Sequence, residues 1–178
     1  MRLSAWRAKA PSKEAGGPKV AAVVDPVLAA MGAGPDPSCW VAWGEEPAVR
    51  YTILVPTEPG LIVVFVRVIV PGEGPRATAK LVRWSRVQVG ELGVETQAGH
   101  RLLSFQVEGV VLRGADAEAD AVAAFALRLI AAIDGRPLPP EPAASAGTRS
   151  RPSAAKAASA SSTKSKAASA GRSKGSAP

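Results

Sequence analysis

The chain has 178 residues, with 22 Lys and Arg against 15 Asp and Glu, one Cys, one His and a formal net charge of +7. That length is of one-domain size. A lone Cys39 excludes an intrachain disulfide, and Cys39 with His100 alone cannot build a zinc site of the usual Cys/His kind.

The charge is unevenly placed. Residues 1–19 hold five cations and one acid (+4), residues 20–135 nine cations and thirteen acids (−4), and residues 136–178 eight cations and one acid (+7). The positive excess therefore belongs to the ends, and so does any attraction for polyanions.

The opening stretch, MRLSAWRAKAPSK, is free of acids up to Glu14 but has neither an amphipathic period nor the apolar segment of a secretory signal. It predicts a disordered basic arm over 1–19, in which Trp6 has no core to join. The absence of disulfides fits a cytoplasmic location.

A single α+β domain is expected over 20–135. Asp25 followed by Pro26 reads as an N-cap with proline at the first helical position, and Gly32 as the stop, predicting a short helix over 26–31. SCWVAW (38–43) reads as a strand with Cys39, Val41 and Trp43 on one side, and Trp40 and Trp43 are expected to fill core rather than to line a ligand pocket. VRYTILV (49–55) alternates cleanly and forms a hairpin through PTEPG with the run that follows.

That run, GLIVVFVRVIV (60–70), is the most apolar in the chain. Ten residues lie between Gly60 and Pro71, about half of what a membrane-spanning helix needs, and Arg67 sits among them. Val and Ile between two Pro/Gly turns make it a strand. Ile62, Val64, Val66, Val68 and Val70 form an unbroken aliphatic face assigned to the core. Leu61, Val63, Phe65, Arg67 and Ile69 form a second face, so the strand is central or partly covered by a helix.

Strands continue at 76–84, 86–96, 101–107 and 110–113, with Gly90 and Gly93 marking a bulge or bend. In 116–135, Val122, Phe125, Ala126, Leu129, Ile130 and Ile133 recur at helical spacing, with Asp116, Glu118 and Asp120 at the start and Gly135 and Pro137 at the end. This helix is expected to lie on the sheet or to close a barrel. The fold class is thus α+β: a mostly antiparallel sheet or small barrel of six to eight strands, with a C-terminal amphipathic helix and disordered basic ends.

Residues 136–178 turn Pro-rich and then Ala/Ser/Lys/Arg-rich. From 143 onward there is no aromatic residue and no aliphatic larger than Ala, which predicts disorder. Arg149, Arg151, Lys156, Lys164, Lys166, Arg172 and Lys174 form a polycation without an acid among them, the candidate polyanion-binding residues.

Catalytic apparatus is sparse. His100 lies in a predicted turn far in sequence from Cys39, Glu45 and Glu46 are adjacent and solvated, and no phosphate-binding glycine motif occurs. No enzyme activity, cofactor or metal is expected. On the 76–84 strand, Arg76, Lys80 and Trp84 share a face that offers either a contact for a base and a phosphate or a plain solvent side whose stems cover the sheet.

The tail resembles, in composition over its last 36 residues, the Lys/Ala/Ser tails of linker-histone-like proteins, which implies sequence-independent affinity for nucleic acid or another polyanion. The order of strands followed by one helix over 38–134 is similar to the layout of PH-like domains. PTEPG carries no cation, so no lipid specificity follows from that likeness. Two functions are expected on these grounds: an interaction module tethered to polyanions by its basic ends, or a PH-like adaptor that binds a protein or peptide on a sheet residue such as Arg67 or Trp84.

Overall fold

The computed structural model describes residues 1–43, 46 and 48–137. In chain order its elements are α1 (Leu3–Arg7), α2 (Pro18–Ala30), β1 (Trp40–Trp43), β2 (Arg50–Thr57), β3 (Gly60–Arg67), β4 (Arg76–Arg83), a single 3-10 turn (Trp84–Arg86), β5 (Val89–Gln97), β6 (His100–Val107), β7 (Val110–Ala115) and α3 (Ala117–Ile133).

The strands form two antiparallel sheets, β1-β2-β3-β4 and β5-β6-β7, and no barrel closes. The expectation of one sheet or barrel is corrected to this α+β arrangement of four and three strands. The Trp84–Arg86 turn separates β4 from β5 instead of pairing them. The bulge expected near Gly90 is present as a register shift between Val89 and Leu92. A Cβ on Gly90 would lie 2.7 Å from the Oε1 end of the Gln106 side chain, which would have to turn aside to admit it.

The apolar run forms β3 only as far as Arg67, three residues short of the end expected for it; Leu61 to Val64 are covered on both faces, while Phe65 and Ile69 stay 43% and 55% exposed. Ile62, Val64 and Val66 face a first core shared with Val41, Ile53, Val55 and three side chains of α2, namely Val20, Val24 and Leu28. Leu61 and Val63 face a second core built from Trp40, Leu54, Phe105, Leu112 and the apolar face of α3. Alternation along a strand sends neighbouring residues to opposite sides, so the unbroken aliphatic stretch 61–64 supplies both cores at once. Trp40 and Trp43, three positions apart and both expected in the core, differ: Trp40 joins the second core, whereas Trp43 is 37% exposed at the edge of the first. Trp40 meets Phe125 at 5.8 Å, and Trp43 meets Trp6 at 5.6 Å.

Two helical expectations are corrected. Residues 1–19 are not a loose arm: Leu3 and Trp6 are buried, and the Trp6 ring packs tilted against Tyr51 at 5.1 Å. The Ser4 amide and hydroxyl both donate to the Asp36 carboxylate at 2.8 Å, which holds that carboxyl below its usual range and pins α1 to the approach to β1. The helix expected over 26–31 starts much earlier, at Pro18, and runs through Pro26. Pro26 costs one backbone bond, yet it sits on the exposed side while Val20, Val24 and Leu28 bury at i, i+4 and i+8. Asp25 is no cap; its carboxylate pairs with Arg7 of α1.

The C-terminal helix matches its expectation. It packs across β6 and β7, and Gly114 permits the approach, since a Cβ there would meet the Glu118 carbonyl at 2.5 Å. Gly135, at φ +72°, ends the helix as its spacing implied. The segment from 138 onward, expected to be disordered, lies outside the described residues.

Two measurements test the folded N-terminus. Trp6→Ala should lower unfolding stability by about 3–5 kcal/mol in denaturant titrations, where a loose arm would give no loss. Tyr51, the only tyrosine, donates its hydroxyl to Ala15 O at 2.9 Å, and burial pushes its pKa up to about 12, partly offset by Arg7. A folded pKa raised above the unfolded one leaves stability intact below about pH 10 and withdraws about 2–3 kcal/mol of it between pH 10 and 12. Tyrosinate absorbance should therefore titrate near pH 12 in the folded protein and near pH 10 in urea.

Candidate nucleic-acid interface

Register across β2, β3 and β4 decides which polar side chains meet. Arg50, Arg67 and Arg76 are direct cross-strand partners, and the next row on the same face is Thr52, Phe65 and Thr78. The two rows beyond, Leu54–Val63–Lys80 and Pro56–Leu61–Val82, run under the second core. One half of this face is therefore covered by α3 and the smaller sheet, and the other half is open.

The open half forms a shallow depression of about 570 Å³ whose lining includes the three arginines, both threonines and Phe65. Phe65 is 43% exposed, although Leu61 and Val63 on the same strand face are fully buried. Strands lie about 4.8 Å apart, so the three guanidinium stems rise from a line about 10 Å long. All three arginines are exposed, and among the described residues none of them forms an ion pair or a side-chain hydrogen bond. Like charges directly opposite one another destabilise a sheet. The row therefore costs stability unless an anion bridges it.

Only Arg76 of the three sequence-predicted contacts belongs to this opening. Lys80 shares the strand face but donates to Glu108 at 2.8 Å. Glu108 also accepts the Gln88 amide at 2.9 Å; burial alone would raise its pKa, but these two bonds and the Lys80 charge hold it below the usual range. Trp84 has left the strand for the 3-10 turn. Its Nε1–H donates to Thr57 O and Glu58 O, each at 3.0 Å, and its ring packs against the second core. The structure thus separates Lys80 and Trp84 from Arg76 and brings Arg50 and Arg67 to it.

Arg50 was not singled out from the sequence, although a signal existed. The tight turn at Glu58–Pro59 pairs Thr57 with Gly60, and counting back from it places Arg50 opposite Arg67. Extending the hairpin strands through Pro56 and Thr57, rather than closing them at 55, would have exposed that pair. The Arg67–Arg76 pairing spans the longer stretch 68–75, for which the sequence offers no such count.

The remaining candidates fall elsewhere. His100 Nδ1 lies 2.7 Å from Asp116, with side chains 66% and 56% exposed, and Cys39 is buried in the first core. Among the described residues no three His, Cys, Asp or Glu side chains gather as a metal site, and no helix is long and apolar enough to cross a membrane. The seven tail cations from Arg149 to Lys174 lie outside the described residues.

Replacing the middle of the row, Arg67→Gln, should raise the midpoint of thermal unfolding at low salt. The gain should be a few tenths of a kcal/mol up to about 1 kcal/mol, and should fade as salt screens the repulsion. A loss of stability at every ionic strength would mean that the row is internally balanced.

Comparison of the chain with protein-family models, curated proteins and solved structures finds no match.

Proposed function

We propose that this protein is a non-enzymatic interaction module that binds nucleic acid through its phosphates. Two cationic features support the reading. One is the C-terminal segment, with seven cations and no acid between 143 and 178. The other is the arginine row, the single observation that carries the proposal: three adjacent guanidinium groups with no carboxylate partner among the described residues, on an open sheet face. Residues 1–135 are neutral overall, since the +4 of 1–19 cancels the −4 of 20–135, so the row is a local concentration of charge on a neutral body. Arg is suited to this work because its planar fork grips phosphate oxygens two at a time.

A PH-like adaptor is the second reading. The run of strands ending in one helix supports it, as does β5, an edge strand whose Leu92 and Val94 are 56% and 63% exposed. Both residues pair with buried positions of β6, Phe105 and Leu103, and so continue an apolar face past the reach of α3. A partner strand added at this edge would cover them.

The two readings separate in a salt titration of duplex DNA binding. Ten phosphate contacts, seven from the tail and three from the row, give a slope of log K against log salt of about −9. A chain ending at Arg136 should keep a slope of about −3, and each arginine of the row changed to Gln should remove about one more. Equal slopes for the shortened chain with and without the three arginines would remove the row from the function.

A further inference from the structure

The open half of the sheet face couples its charge to an aromatic ring, and the coupling narrows the ligand. Phe65 stands in the row next to the arginines, between Thr52 and Thr78. Both neighbours are short, so no bulky side chain stands directly across from the ring on either strand. Arg67 lies two residues along the same strand, about 7 Å away, and Arg50 and Arg76 lie diagonally across it. An apolar ring left 43% exposed beside three cations that have no ion-pair partner among the described residues gains nothing from water and little from a free phosphate.

We infer that this face is a site for single-stranded nucleic acid, with one base stacked on Phe65 and the flanking phosphates held by Arg50, Arg67 and Arg76. The inference rests on the phosphate-binding reading above and adds the state of the strand. A row about 10 Å long spans on the order of two successive phosphates of an extended strand. The Thr52 and Thr78 hydroxyls, which donate or accept, stand where sugar or base edges would pass. A duplex presents phosphates to such a face but keeps its base faces stacked inside, out of reach of a ring set in a shallow depression. A single strand offers both, and stacking on an aromatic tolerates any base.

The test uses the full chain, a labelled single-stranded oligonucleotide of mixed sequence, a duplex of the same sequence and inorganic polyphosphate. The single strand should bind more tightly than the duplex at equal salt. Phe65→Leu, which keeps apolar bulk, and Phe65→Ala should each weaken single-strand binding about tenfold and leave polyphosphate binding unchanged, while Phe65→Tyr restores it. Equal affinity for duplex and single strand, or a Phe65→Leu protein that binds the oligonucleotide as the parent does, would overturn the stacking inference and leave phosphate binding standing. If Arg50, Arg67 and Arg76 changed together to Gln bind oligonucleotide and polyphosphate as the parent does, the face is no anion site and both readings of it fail.

Discussion

The structure depends on one strand being dry on both sides. In β3, Leu61, Ile62, Val63 and Val64 are fully buried and Val66 is 1% exposed. At about 1.5–3 kcal/mol for each side chain, their burial contributes on the order of 8–15 kcal/mol, an upper estimate that matches the whole net stability of an ordinary domain. Neither face can be left to water. α1 and α2 cover one, and α3 with the smaller sheet covers the other. Residues 1–19 belong to the fold for this reason: Leu3 and Trp6 help close the first core, and a chain without them would leave Tyr51 and its neighbours wet.

The covering layers are unequal, and the difference creates the candidate site. α3 packs on β6 and β7, and the apolar surface under it ends at the Leu54–Val63–Lys80 row. Beyond that line the same face carries Thr52, Phe65 and Thr78 and then the three arginines. The polar break that Arg67 makes in the most apolar run of the chain marks where the covering layer stops. Phe65 sits at the boundary, an aromatic ring left 43% exposed on an apolar face.

Two cations on β4 show how tertiary context sets the role of a side chain. Arg76 and Lys80 stand four residues apart on one strand face, so sequence treats them alike. Lys80 is spent on Glu108, whose carboxylate also satisfies the Gln88 amide where the chain turns toward β5. Arg76 instead faces two more arginines across the sheet. A pair that cancels charge contributes to the fold, whereas a row that accumulates it is free to act on a ligand.

The sequence by itself determined the strands, the C-terminal helix, the exclusion of a membrane helix and the two-sided burial of the first half of the 60–70 run, because these follow from local composition and from periods of 2 and 3.6 residues. Fragments with weak local signals were misjudged. Residues 1–19 have little periodicity and gain their order from contact with Tyr51, Trp43 and Asp36, and α2 runs through Pro26 because burial of one face outweighs a lost backbone bond. The candidate site was half legible: Arg76 and Arg67 could be read as separate sheet contacts, but not Arg50 or the adjacency of the three, since cross-strand register is fixed by loop geometry and by what packs above. Only the tertiary structure decided that the strands divide into two sheets, that Lys80 and Trp84 are engaged, and that Arg50, Arg67 and Arg76 stand side by side. Such pairings join residues far apart in sequence, and no local pattern encodes the distance between them.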